Sequence, residues 1–204
     1  MTSQLILSIG REHGSGGHEL AAILADKLQI QLLDTESIQK MLAEEGIHPE
    51  VMKRTDEKRR SLFAASGRGT YVDSLEDTVA AKTFELLLNK AEAGESFVIV
   101  GRAADYVLRG NPNLVRLFIC GQESDKLARI QKSYGLSEKD AKKRMHSVDR
   151  QRKSYHNYFA ETTWGDSRYY DLCINSSRIE LPELADAILP YLKLKVPSAF
   201  EATD

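Results

Sequence analysis

The sequence predicts a single α/β domain built on a parallel β-sheet, and two observations lead to this prediction. Five short apolar runs have the length of buried strands, at residues 5–9, 30–33, 97–100, 115–119 and 172–174. Helical patterns rather than hairpin turns separate these runs, and parallel strands need such crossover connections. With 204 residues, the chain is long enough to bury one sizeable core, so we expect one domain over residues 1–204.

The helices are predicted from apolar spacing and from capping residues. His18 to Gln29 places its leucines and isoleucine on one face, at spacings of three and four residues. Ser137 opens another helix with the capping sequence S-E-K-D. Pro182 sits in the first turn of the last helix, which runs to about Lys195. Further helices are predicted over residues 35–44, 71–93 and 123–133.

Composition argues against several classes of partner. The 28 basic and 30 acidic side chains leave a net charge of −2, whereas dedicated nucleic-acid binders usually show a basic excess. No apolar run approaches the roughly 20 residues of a membrane span, and the N-terminus lacks the basic region of a signal peptide. Cys120 and Cys173 end apolar runs without metal-ligand spacing, so we expect reduced core thiols in a cytoplasmic protein.

Two segments interrupt the alternation of strands and helices. Residues 46–70 are polar, with basic residues at 58–60 and a flexible S-G-R-G stretch at 66–69. Residues 126–153 hold ten lysines and arginines against three acidic residues. A basic patch on a charge-balanced protein indicates a bound anion smaller than a nucleic acid. The alternative is a charged helix face that is simply solvated.

The most informative stretch is a glycine-rich loop between the first strand and the first helix. Gly14, Ser15, Gly16 and Gly17 occupy this loop and His18 follows them. Glycines allow backbone amides to approach a ligand, and a helix N-terminus favours anions, so the loop is a candidate phosphate site. The common phosphate-binding motif is G-x-x-x-x-G-K-[ST], and here Gly17 and His18 take the Lys and Ser/Thr positions. The alternative is a glycine-rich turn without a ligand.

Three motifs together resemble the cytidylate kinase-like family, a branch of the P-loop nucleoside monophosphate kinases. The first is the loop R-E-H-G-S-G-G at residues 11–17, which is similar to that branch's loop without lysine. The second is L-L-D-T at 32–35, and the third is V-I-V-G-R-A-A-D at 98–105. The D-R-x-R sequence at 149–152 lies where these kinases carry a lid, and the W-G-D sequence at 164–166 is also similar.

The resemblance implies a fold and an activity. The expected fold has three layers, with a five-stranded parallel sheet, helices on both faces, an acceptor-binding insertion near residues 36–93 and a helical lid near 123–160. The expected reaction transfers the γ-phosphoryl group of ATP to a nucleoside monophosphate, CMP or dCMP first among them, with Mg²⁺. Val100 stands where the family has an acidic residue. Two alternatives therefore stay open: a nucleotide-binding module with little or no kinase activity, and a kinase for another small metabolite.

The resemblance also suggests roles for four charged residues. Arg11 is the best substitute for the missing lysine, since it flanks the loop. Arg102 follows a buried strand and would grip the phosphate of the acceptor, because ligands bind at the C-terminal strand ends of such sheets. Asp149 and Arg152 would belong to the catalytic lid, or else form an internal salt bridge.

The remaining candidates extend the nucleotide and acceptor sites. Arg144 and Arg150 are lid candidates for the ATP phosphates, with a solvated helix face as the alternative, and Arg129 precedes the lid. Asp34 and Thr35 would bind the acceptor together with Arg102 and Asp105, although Asp34 is also a simple helix cap. Asp34 and Asp105 are the candidate Mg²⁺ ligands. Small nucleotides are the expected partners, and the oligomeric state, a homodimer included, stays open.

Overall fold

The computed structural model describes residues 4–47 and 72–201, and its centre is a five-stranded sheet. All strand pairs are parallel, in the order β2-β3-β1-β4-β5. The strands are β1 (Ile6–Arg11), β2 (Gln31–Leu33), β3 (Phe97–Val100), β4 (Leu114–Cys120) and β5 (Leu172–Asn175). The predicted parallel sheet is confirmed. The strand β1 lies between β3 and β4, so the C-terminal ends of these three strands lie side by side.

Seven helices connect the strands in the residues that the structure describes. They are α1 (Gly17–Leu28), α2 (Thr35–Glu44), α3 (Val72–Glu92), α4 (Ala104–Val107), α5 (Glu123–Tyr134), α6 (Glu138–Phe159) and α7 (Leu181–Lys195), and 3₁₀ turns occur at Ser167–Tyr169 and Pro197–Ala199. Ser137 caps α6 through its side chain, as its capping sequence predicts. The single turn of α4 was not predicted, because four residues are too few to show helical periodicity.

The helices cover both faces of the sheet, which confirms three layers. On one face, α1 and α7 bury leucines, isoleucine and alanines against strand residues such as Leu7 and Ile9. On the other face, α2, α3 and α4 pack against residues such as Ile6 and Phe97. Successive β1 side chains enter opposite cores, because neighbouring residues of a strand point to opposite faces. A smaller cluster joins α5 to α6 around Leu127, Ile130, Ala141 and Met145.

Several expectations need correction or lie outside the described residues. Cys173 is exposed on the edge strand β5 and Cys120 is half-buried, so the prediction that both are core thiols is wrong for Cys173. Within the described ranges both thiols are free. The basic residues at 58–60 and the S-G-R-G stretch at 66–69 lie outside the described residues. None of the helices in residues 4–47 and 72–201 combines the length and apolarity needed to cross a membrane.

Candidate functional site

The glycine loop joins the C-terminal end of β1 to the N-terminus of α1. Gly16 is the N-cap of α1, with a left-handed backbone (φ 78°) that glycine adopts without strain. No side chain of the described residues caps this N-terminus. The first-turn amides therefore keep hydrogen-bonding capacity and face outward with the positive end of the helix dipole. This is the local arrangement that binds an anion.

Contacts from the end of β5 and from α5 hold the loop in shape. Ser176, after β5, donates its hydroxyl to the Ser15 carbonyl oxygen at 2.6 Å. Lys126 on α5 forms an ion pair with Glu12 at 2.8 Å between Nζ and Oε2. Arg129, also on α5, donates to the Gly14 carbonyl oxygen at 3.3 Å. The Ser15 hydroxyl and the Ser15 amide both donate to the Glu12 carbonyl oxygen, at 2.8 and 3.3 Å. Ser15 is buried and does not line the loop cavity, so it holds the shape of the loop and does not face a ligand.

Arg11 crosses from the glycine loop to the end of β3. A Cβ atom at Gly17 would lie 2.6 Å from the Arg11 Cβ, and one at Gly101 would collide with the Arg11 guanidinium. Both glycines thus make room for this one side chain. The guanidinium is thereby held where the ends of β1 and β3 meet, beside the loop in which a lysine is missing.

Two cavities adjoin at this edge of the sheet. The loop cavity, about 310 Å³, is lined by the loop glycines, His18 and three arginines, namely Arg11, Arg129 and Arg152. The strand-end cavity, about 170 Å³, is lined by residues of β3, α2, α4 and α6 or next to them, including Thr35, Arg102, Asp105, His156 and Trp164. Arg11 and Arg152 line both cavities. Ligands in the two cavities would therefore share these two cations.

Helix α6 is fastened directly to the glycine loop. The His13 amide donates to Asp149 Oδ1 at 2.6 Å, and Arg152 Nη1 donates to the Arg11 carbonyl oxygen at 3.0 Å. Asp149 and Arg152 also face each other at 3.9 Å. Burial raises the pKa of the Asp149 carboxyl, against the opposing effects of the His13 amide and Arg152. The two sequence candidates thus form an internal pair and also contact the loop.

The other basic candidates on α6 differ in position. The Arg144 guanidinium stacks over the ring of Tyr134 at 3.9 Å, next to the loop residue His13. Arg150 is exposed. It lines neither cavity as the described residues define them, so the structure does not bring it to the glycine loop. His13 was not predicted as a site residue, because its spacing to the other histidines has no ligand pattern.

Arg102 has an unusual backbone. Both Arg102 (φ 60°) and Ala103 (φ 51°) are left-handed, and neither is glycine. Such residues cost about 1–3 kcal/mol each and are concentrated at functional sites. Arg102 Nη2 donates to Thr35 Oγ1 at 3.2 Å, which brings together two of the predicted acceptor residues. The strained turn directs this guanidinium toward the strand-end cavity.

The two candidate metal ligands are engaged in separate places. Asp34 caps α2 through the Ser37 amide at 2.9 Å and contacts His18 at 3.1 Å. Burial opposes ionisation of Asp34, yet its hydrogen bonds from Ser37 and His18 hold its pKa below the usual value. Asp105 is buried and pairs with His156 at 2.8 Å between Oδ2 and Nε2. Burial lowers the pKa of His156, but Asp105 outweighs it and the pKa is raised.

These carboxylates do not form a magnesium site by themselves. Among residues 4–47 and 72–201 no group of three or more histidine, cysteine, aspartate and glutamate side chains is arranged to hold a metal. Mg²⁺ requires about six oxygen ligands and commonly takes several of them from water and substrate phosphates. The residues present therefore do not fit a preformed site, and Asp34 and Asp105 are not brought together to make one.

Comparison with known proteins agrees with this architecture. The model of the cytidylate kinase-like family matches residues 6–178. An uncharacterized protein from Eubacterium ventriosum is 34% identical, with a TM-score of 0.75 over 93% of this chain and 99% of that chain. No protein of curated function matches the sequence.

Two kinases of known structure share the fold at low identity. A sugar kinase from Janibacter is 15% identical, with a TM-score of 0.56 over 98% of this chain and 99% of that chain. A shikimate kinase from Acinetobacter baumannii is 11% identical, with a TM-score of 0.54 over 98% and 97%. The strand order, the glycine loop and the family match over residues 6–178 agree: the chain belongs to the cytidylate kinase-like family and has the three-layer P-loop kinase fold.

Proposed function

We propose that the protein transfers the γ-phosphoryl group of ATP to a nucleoside monophosphate, with CMP or dCMP as the first acceptors to test. Membership of a kinase-like family supports phosphoryl transfer in general. The observation that carries the proposal is the meeting of two cavities at Arg11 and Arg152. A donor phosphate on one side and an acceptor on the other would meet between these two cations.

On the donor side, amides of Gly14 and of residues 16–18 bind the polyphosphate at the N-terminus of α1. Arg11 takes over the electrostatic role of the lysine, since its guanidinium lies beside the loop and reaches both cavities. Phosphoryl transfer depends mainly on positioning and on stabilising charge on the transferring group. Mg²⁺ would neutralise phosphate charge, and the described carboxylates offer no preformed site for it.

On the acceptor side, the strand-end cavity receives the molecule to be phosphorylated. The Arg102 guanidinium binds the acceptor's phosphate in a bidentate manner, and the contact with Thr35 orients this side chain. Asp105 and Trp164 line the same cavity and contact the rest of the acceptor. Helix α6 closes over the reacting groups through Asp149 and Arg152 and excludes water, which prevents hydrolysis of ATP.

The proposal is tested by measuring ADP release with a coupled assay across CMP, dCMP, UMP, AMP and GMP. We expect turnover, with the highest kcat/KM for CMP or dCMP. A folded protein that releases no ADP with any of these acceptors contradicts the assignment of the acceptor.

One alternative is a kinase for another small metabolite. The strand-end cavity of about 170 Å³ is small for a nucleotide, which favours an acceptor of fewer atoms. Structures that share the fold include a sugar kinase, a gluconokinase and a shikimate kinase. The same assay with gluconate and shikimate as acceptors distinguishes this alternative.

A second alternative is a nucleotide-binding module with little or no kinase activity. Gly17 and His18 stand where a P-loop has lysine and a hydroxyl side chain, and the described residues contain no metal-binding carboxylate group. Tight binding of ATP without ADP release in the presence of any acceptor would favour this function.

A further inference from the structure

The backbone of His13 joins the glycine loop to α6, whereas its imidazole lies beside the Tyr134 ring and keeps one unpaired nitrogen in the part of the chain that the structure describes. The His13 amide is held by Asp149 at 2.6 Å. The side chain lines the loop cavity, is only 9% exposed, and its Nε2 has no hydrogen-bond partner among the described residues. Buried polar nitrogens are nearly always satisfied, and leaving one unpaired is destabilising. An unpaired, buried nitrogen on a residue that lines the loop cavity points to a ligand oxygen as its missing partner.

The surroundings of this imidazole are strongly cationic. The charged and titratable groups that face it come from β1, α5 and α6, and they are Arg11, Tyr134, Arg144, Asp149 and Arg152. The neighbouring Glu12 is already neutralised by Lys126. Burial, followed by Arg152, Arg144 and Arg11, lowers the pKa of His13 to about 4. In the absence of a ligand, His13 is therefore neutral at physiological pH.

We propose that His13 is a phosphate-binding residue whose imidazole takes up a proton as the polyphosphate enters the loop cavity. The inference rests on the proposed function, because it requires a polyphosphate on the glycine loop. Charged His13 donates a hydrogen bond from Nε2 to a phosphate oxygen and adds a positive charge to a loop that lacks the usual lysine. When the site is empty, the imidazole is neutral and adds no further positive charge beside the three arginines.

The expected change in protonation is large enough to measure. A single opposite charge within about 4–6 Å shifts a pKa by about 1–3 units toward the charged form. A nucleotide polyphosphate carries several negative charges and also compensates Arg11, Arg144 and Arg152, which are among the causes of the low pKa. Both effects raise the pKa of His13, so we expect a rise of roughly two units or more in the complex. Nucleotide affinity then increases as the pH falls, by up to about tenfold per unit.

Isothermal titration calorimetry of ADP binding at pH 6.0 tests the inference. Repeating the titration in buffers of different ionisation enthalpy gives the number of protons that are taken up. The wild type should take up about half a proton or more in excess of His13→Gln, since the imidazole is protonated only in the complex. His146→Gln is the matched control, because His146 is exposed on α6 and should behave as the wild type does. Subtracting the His13→Gln value removes the protons that ADP itself exchanges.

An NMR titration of the wild-type histidine ring signals covers the case in which His13→Gln fails to bind. The pKa of His13 should be about 4 in the free protein and near 6 or above with saturating ADP. ADP binding without excess proton uptake and without a change in this pKa overturns the inference and leaves the proposed function standing. If neither ADP nor ATP binds to the folded protein, both fall.

Discussion

The position of Arg11 is tested most sharply by comparing two glycine-to-alanine substitutions. Gly94 and Gly101 have nearly the same left-handed backbone, with φ of 77° and 76°. An added Cβ at Gly94 meets no heavy atom of the described residues within 4 Å, whereas at Gly101 it meets the end of the Arg11 guanidinium. The two substitutions therefore impose the same backbone strain, and only Gly101→Ala displaces Arg11.

The expected magnitudes follow from this geometry. Alanine in the left-handed region costs roughly 1–2 kcal/mol, so both variants should lose about this much free energy of unfolding, measured by urea denaturation. The Arg11 side chain is flexible and can move aside at little cost to stability. Displacing a cation from the reacting phosphates should nevertheless lower kcat by about 10²–10³-fold, the effect of removing one transition-state donor.

The assay is ADP release with the best acceptor found. Gly94→Ala should retain the wild-type kcat, and Gly101→Ala should lose most of it at comparable stability. Equal turnover in the two variants would refute the reasoning, because it would show that the guanidinium next to Gly101 does not contribute to the reaction.

Three further substitutions test other parts of the site. Arg102→Ala should raise the KM for the acceptor tenfold or more without changing stability, with exposed Arg109→Ala as its control, and unchanged acceptor kinetics would remove Arg102 from the site. His156→Gln should destabilise the protein more at pH 6 than at pH 9. Asp105 raises the pKa of His156, so the pair's stabilisation is fully present below about pH 6.5 and is lost as the pH rises through that raised pKa. Urea denaturation at both pH values measures this difference, and an equal loss at both would contradict it. Asp149→Ala removes a charge-assisted bond of about 1.5–3 kcal/mol, so hydrogen exchange at the His13 amide should accelerate by about 10–100-fold. Unchanged exchange would mean that this contact does not hold α6 to the loop.

Most of the fold could be predicted because its signals are local. Buried parallel strands appear as short apolar runs, and the predicted strands agree with the observed ones within about two residues. The strand β1 continues past its apolar run to Arg11, because its pairing with β4 extends to Ile119. That extension depends on a neighbouring strand and has no signature in the run itself. Cys173 was predicted to lie in the core because it belongs to an apolar run. That run forms an edge strand, and its place at the edge of the sheet does not show in the run itself.

Residues of the candidate site could be predicted only where they belong to a local motif that directly follows a strand. The glycine loop and Arg102 stand out because they follow strands, where ligands of parallel sheets bind. The contact of His13 with Asp149 could not be predicted, since it joins residues 136 positions apart and depends on how α6 lies across the loop. The buried pair of Asp105 and His156 likewise exists only after α4 and α6 meet.

The most direct test of the central claim is a crystal structure of the protein with a non-hydrolysable ATP analogue. The β- and γ-phosphate oxygens should lie about 3 Å from the amide nitrogens of Gly14 and residues 16–18, with Arg11 beside the γ-phosphate. An analogue bound elsewhere, with the loop cavity empty at saturating concentration, would contradict the account.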